Sequence, residues 1–146
     1  MKFKSGCNSI EMTIKGYEFP YAVRPPNNDP FDVNWLNINF KFDIGGKMID
    51  ETFPALLTWE WKDIYESFQD VLDGNTSSFN GEFIEPYLII RLYRISEAFM
   101  IKLDYAFDTS TYDDWEYIKI SNNIDKKQLI GIINEMKQQL EPFPER

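Results

Sequence analysis

The chain has 146 residues, with no histidine, a single cysteine and 15 basic residues against 24 acidic ones, for a net charge of −9. A chain of this length is expected to fold as one domain, residues 1–146, and to bury enough surface to need neither a metal nor a disulfide. The surplus of carboxylates argues against direct binding of nucleic acid, whose phosphates require clustered basic residues. The absence of histidine removes the commonest general base and the commonest metal ligand, so we expect neither a cofactor nor a metal.

The first residues carry charge but lack the apolar stretch of a signal peptide. No segment approaches the roughly 18 consecutive apolar residues that indicate a membrane span. The lone Cys7 has no partner for an internal disulfide, which fits a reducing compartment. We therefore expect a cytoplasmic protein without membrane contact.

Alternating apolar and polar residues predict strands in the first third of the chain, over residues 9–19 and 33–44. Residues 20–32 are rich in proline and read as a stiff loop. Gly45-Gly46 favours a tight hairpin turn. Residues 47–57 then return as the partner strand, in which Pro54 indicates an edge position or a break.

The pattern changes to a helical period at Thr58. An apolar stripe over residues 58–73 predicts an amphipathic helix, with Thr58 as its expected cap and Gly74 at its end. Residues 74–81 read as a loop.

The second half repeats this organisation. Strand-like runs are expected over residues 83–95, 98–107 and 115–120. A closing helix begins at Asp125, whose spacing from Gln128 is that of a capping box. The fold class is therefore α+β: a mostly antiparallel sheet of about six to seven strands with two amphipathic helices, in the order βββ-α-βββ-α.

Catalysis without histidine would have to depend on carboxylates. Glu82 with Glu85 is one pair to consider, and Asp113, Asp114 and Glu116 form another group. The chain has no nucleophile-elbow, phosphate-loop or dinucleotide-binding motif. We therefore do not expect an enzyme.

The segment 104–116 is the candidate protein-binding surface. It holds five acids and no lysine or arginine. Carboxylates steer a cationic partner, and tyrosine and tryptophan anchor it at low entropic cost. The alternative is a solvated hairpin whose aromatic residues fold back onto the core. The candidate binding residues are Asp104, Asp108, Tyr112, Asp113, Asp114, Trp115 and Glu116.

Three short motifs follow one another in residues 30–95: Asp-Val-Asn-Trp-Leu at 32–36, Leu-Leu-Thr-Trp-Glu at 56–60, and Phe-Ile-Glu-Pro-Tyr-Leu at 83–88. In this order, with an amphipathic helix after the second motif, the chain resembles the WapI-type family of bacterial immunity proteins. In the third motif, Ile84 and Tyr87 replace the hydroxyl residue and the asparagine that are usual in that family.

The resemblance implies an antidote that binds and neutralises a cognate secreted toxin domain by occlusion. It also implies that this toxin is often a nuclease, which fits an acidic inhibitor because nucleases are typically basic. Two other functions remain open from the residues alone. One is an aromatic-rich module that binds a small molecule or carbohydrate, and the other is a non-catalytic subunit of a larger assembly.

Overall fold

The computed structural model describes residues 1–21, 31–108 and 116–146. The α+β class is confirmed, but the described strands form two four-stranded antiparallel sheets instead of the one sheet of six to seven strands that was predicted. The first sheet has the strand order β1 (Lys2–Ser5), β2 (Asn8–Tyr17), β3 (Trp35–Ile44), β4 (Lys47–Leu57). The second has the order β5 (Ser78–Glu82), β6 (Leu88–Ile95), β7 (Ala98–Asp108), β8 (Glu116–Ile124). The helices are α1 (Phe31–Asn34), α2 (Thr58–Asp73) and α3 (Lys126–Leu140). The short helix α1 was also not predicted, and it replaces the first two residues of the strand expected over residues 33–44.

The β3–β4 hairpin forms as its sequence predicted. Gly45 and Gly46 have φ angles of 58° and 86°, which most other residues adopt only with strain. Pro54 lies on an edge strand, where the β3–β4 register shifts by one residue. An edge bulge accommodates proline because its missing N–H group removes no hydrogen bond from the sheet.

Two edge strands were absent from the sequence-based prediction. Residues 74–81 were expected to form a loop, but β5 begins within them and pairs with β6. The β1 strand, Lys2–Ser5, pairs with β2. Both are short and polar, so neither has the apolar alternation from which the longer strands were predicted. The run expected from residue 83 enters the sheet only at Leu88.

The α2 helix has the predicted bounds, and Gly74 ends it with a φ of 84°. Thr58 does not cap it, contrary to the prediction. The N-cap is Leu57, whose backbone N–H donates to Glu60 Oε2 at 2.8 Å. The hydroxyl of Thr58 instead donates to Asn34 Oδ1 at 3.1 Å. The Thr58 side chain therefore makes a tertiary hydrogen bond to Asn34 instead of capping the helix.

The α3 helix begins with the predicted capping box. Asp125 Oδ1 accepts from the Gln128 amide at 2.8 Å, and Gln128 Oε1 accepts from the Asp125 amide at 2.9 Å. One face of the helix is buried, and the Trp61 indole of α2 donates to the Met136 carbonyl of α3 at 3.0 Å.

One hydrophobic core joins both sheets and both long helices. Tyr105 of β7 lies between the sheets, with its ring centroid 4.9 Å from that of Phe40 and 4.4 Å from that of Phe42. Within the described part of the chain, no helix is both long and apolar enough to cross a membrane.

Candidate functional site

A cleft of about 500 Å³ opens where the start of β3, the middle of β4 and the later part of β7 meet the segment before β6. Its walls carry three carboxylates and four aromatic rings, and none of the described side chains that line it is basic. The carboxylates are Glu18, Glu51 and Glu85, and the rings belong to Trp35, Phe53, Tyr87 and Tyr105.

Backbone hydrogen bonds fix the two sides of the cleft. The Glu18 N–H donates to the Trp35 carbonyl at 2.8 Å, which continues the β2–β3 pairing beyond the end of β2. On the other side, the Ala106 N–H donates to the Tyr87 carbonyl at 2.8 Å. Glu18, Trp35, Tyr87 and Glu85 are half-buried, so their side chains are held near the surface rather than free in solvent.

The floor of the cleft is formed by Tyr105, which is 1% exposed. Its hydroxyl donates to Glu51 Oε2 at 3.0 Å and so orients that carboxylate. Burial, and then the charge of Glu51, raise the pKa of Tyr105 well above its usual range. The phenol therefore remains a donor at neutral pH. Phe53 adds an edge contact to Tyr87, with ring centroids 5.5 Å apart.

This combination of groups suits a cation. Carboxylates attract a positive charge, and aromatic faces add cation–π attraction. Across residues 1–21, 31–108 and 116–146, no three acidic or cysteine side chains are arranged to hold a metal ion. The carboxylates and aromatic rings of the cleft together suit an organic cation, such as a basic side chain.

Several exposed apolar side chains lie close in the chain to residues that line the cleft. Phe19, Tyr21, Phe31 and Ile84 are 48%, 95%, 42% and 53% exposed. They are four of the seven large apolar side chains that are exposed in the described part of the chain. Phe31 contacts Trp59 edge-on at 5.4 Å between centroids. Exposed apolar groups beside a polar cleft are typical of a protein-binding surface.

Buried polar contacts join the three sequence motifs behind the cleft. Asn34 of the first accepts the Thr58 hydroxyl of the second. Glu60, at the end of the second, is 8% exposed, and its Oε1 accepts from the Ile84 amide of the third at 2.8 Å. Burial raises the pKa of Glu60, although the amides of Leu57 and Ile84 oppose this. These motif residues hold the fold together.

Arg146 contacts the fold beside the cleft, at Asn34 and Tyr17. Asn34 Oδ1 accepts from the Arg146 amide at 2.8 Å, and Asn34 Nδ2 donates to the Arg146 carbonyl at 3.2 Å. The Arg146 guanidinium lies 3.5 Å from the centre of the Tyr17 ring. This cation is therefore held beside the ring that precedes Glu18.

The predicted binding segment is only partly described. Asp104 lies on the outer face of the second sheet, where its Oδ2 accepts from Arg91 Nη1 at 2.8 Å and its side chain is 17% exposed. Asp108 and Glu116 are register partners in the backbone pairing of β7 with β8. The other four candidates, Tyr112, Asp113, Asp114 and Trp115, lie outside the described residues.

Sequence reasoning did not identify the cleft. The third motif could have indicated Glu85 and Tyr87, and the first could have indicated Trp35. Glu18 and Glu51 carry no such signal, because they follow a strand end and lie on a polar edge strand, respectively.

A model of the immunity protein WapI-like family matches residues 2–144 of the chain. The immunity protein WapI of Bacillus subtilis (strain 168) is 25% identical over 146 residues, covering 96% of this chain and 92% of that protein. A chain from the structure of a guideRNA-binding protein complex bound to a gRNA superimposes with a TM-score of 0.44 at 12% identity, over 73% of this chain and 71% of that one. Since the family model spans nearly the whole sequence, the protein belongs to the WapI-like immunity protein family.

Proposed function

We propose that this protein is the antidote to a cognate secreted or contact-dependent toxin. It binds the C-terminal toxin domain in the cytoplasm of the producing cell and blocks that domain by occlusion, without chemistry of its own. The observation that carries this proposal is the family match over residues 2–144.

The charge of the chain supports a basic partner. A net charge of −9 produces a field that attracts a cationic surface and raises the rate of encounter. Nucleases that grip phosphates carry such surfaces. We therefore propose a basic nuclease domain as the toxin, with the acidic cleft and the exposed apolar side chains around it as the surface that meets it.

Co-expression tests the proposal directly. The proposed toxin domain is induced with and without this chain, and cell survival and co-purification are both scored. We expect survival together with a stoichiometric complex. Survival without a complex would contradict occlusion, and death in the presence of the antidote would contradict the immunity function.

Ionic strength tests the electrostatic part separately. Steered association slows steeply with salt, so the association rate is expected to fall by about tenfold or more between low and high salt. Stopped-flow mixing of the purified partners measures this rate. A rate that does not change with salt would contradict charge complementarity but not binding itself.

A further inference from the structure

We propose that the cleft receives one arginine or lysine side chain of the toxin domain, and that the exposed apolar side chains beside it form the surrounding contact. This inference rests on the proposed immunity function, and it assigns the anchoring point of the interface to Glu18, Glu85 and the rings of Trp35 and Tyr87.

Charge and shape together point to a single cationic side chain. Three carboxylates converge on the cleft, and the described residues that line it include no lysine or arginine. Arg146 lies nearby on the Tyr17 ring, but its guanidinium donates to the Phe19 and Pro20 carbonyls. One of the three carboxylates, Glu51, is oriented by Tyr105, which leaves Glu18 and Glu85 at the half-buried sides. A guanidinium or ammonium group held between them would make charge-assisted hydrogen bonds. The volume of about 500 Å³ accommodates such a side chain with its apolar stem against the rings.

The apolar surroundings give this contact its strength. Anchoring residues of protein interfaces lie in pockets from which the surrounding contacts exclude water. Phe19 and Tyr21, which follow Glu18 in the chain, and Ile84, which precedes Glu85, are exposed, and they supply the apolar contacts of the proposed interface. Covering them would remove water from the ion pair and strengthen it.

The first experiment compares two charge-matched double variants for binding to the toxin domain. Glu18→Gln with Glu85→Gln removes the free carboxylates of the cleft. Glu97→Gln with Asp73→Asn removes the same charge at the opposite end of the molecule. Glu97 lies in the turn at the far end of the β6–β7 hairpin, about 23 Å from the Leu88–Tyr105 pair, and Asp73 ends α2.

We expect the cleft variant to bind the toxin domain about 30-fold or more weakly, mainly through faster dissociation, and the control variant to stay within about threefold of wild type. Calorimetry and surface plasmon resonance measure both quantities, and urea unfolding verifies that both variants fold. Equal affinities of the two variants would overturn the inference. The proposed function would stand in that case, because it fails only if the wild-type chain itself neither protects nor binds.

A charge exchange then tests the single-side-chain contact. Glu85→Arg is expected to weaken binding by about 100-fold, since it places like charges together. Each exposed lysine and arginine of the toxin domain is changed to glutamate in turn and tested against this variant. Recovery of at least tenfold at one position supports the inference and identifies the occupant. If no position restores binding, the inference of a single occupant is overturned.

Discussion

The carboxylate of Glu60 accepts a 2.8 Å hydrogen bond from the backbone amide of Ile84. This contact ties the first turn of α2 to the segment that carries Glu85 and Tyr87 into the cleft. Glu60 thus positions a wall of the cleft without lining it. The two glutamates of the sequence motifs have different roles, since Glu60 is buried within the fold whereas Glu85 faces the cleft.

Glu60→Gln is expected to lower the free energy of unfolding by about 1–3 kcal/mol. The two carboxylate oxygens accept from two different amides, those of Leu57 and Ile84, and glutamine offers only one oxygen. Urea unfolding measures the loss. Glu66→Gln on the same helix is the control, because its partner Lys62 is exposed and the change should stay within about 0.5 kcal/mol. Equal losses in the two variants would contradict a structural role for Glu60.

The difference in stability between wild type and Glu60→Gln is expected to depend on pH. Burial raises the pKa of Glu60, and the charges of Asp63 and Glu85 add to the increase. A carboxyl whose pKa is raised by folding favours the folded state fully below its unfolded pKa of about 4.3, and this contribution is lost as pH rises through the folded pKa. The stability of wild type relative to Glu60→Gln should therefore fall as pH rises above about 4.3 and through the folded pKa. A difference that stays constant over this range, in urea titrations at each pH, would contradict the prediction.

Asn34 should be more important for stability than Thr58. Asn34→Ala removes the contacts with the Thr58 hydroxyl and with the backbone of Arg146, and we expect a loss of about 2–4 kcal/mol. Thr58→Val removes only the hydroxyl and should cost about 1 kcal/mol. In a double-mutant cycle followed by thermal unfolding, the double variant should cost less than the sum of the two. Full additivity would show that the two side chains are not coupled.

Tyr105→Phe tests the link between the sheets. The variant keeps the ring contacts with Phe40 and Phe42 but loses the hydrogen bond to Glu51, at an expected cost of about 1 kcal/mol at neutral pH. Folding raises the pKa of Tyr105, so its contribution is present below the unfolded pKa of about 10 and is lost as pH rises beyond it. The difference between the two proteins should therefore shrink in alkaline denaturation series. A difference in the free energy of unfolding that stays constant at alkaline pH would contradict this role of the Tyr105 hydroxyl.

The acidic residues of segment 104–116 are expected to have two different roles, one in stability and one in binding. Asp104→Asn should lower the free energy of unfolding by about 1–2 kcal/mol, because Asp104 pairs with the largely buried Arg91. Asp113→Asn with Asp114→Asn should instead slow association with the toxin domain, as expected if these residues steer it. Unfolding and binding kinetics of both variants separate the roles. If Asp113→Asn with Asp114→Asn associates as fast as wild type, the predicted binding role of these two acids is wrong.

The long elements could be predicted because their local patterns agree with their tertiary environment. The α2 bounds, the Gly45-Gly46 turn and the Asp125–Gln128 capping box are each specified within a few residues. The short edge strands β1 and β5 could not be predicted, because a polar strand forms only when a neighbouring strand offers its hydrogen bonds. Thr58 has a side chain suited to a helix cap, but its hydroxyl donates a hydrogen bond to Asn34, which lies 24 positions away in the chain.

The sequence by itself determined the α+β class and the antiparallel pairing of successive strands, because both follow from local patterns of apolar and polar residues. It also determined the surplus of negative charge, which follows from composition, and the family, which follows from short motifs. The cleft was decided only by the tertiary structure. Glu18, Glu51 and Glu85 come from three distant parts of the chain, and they meet because the two sheets pack around Tyr105. Sequence periodicity and residue spacing do not predict that these three glutamates lie together, because their positions depend on how the shared core arranges separate strands.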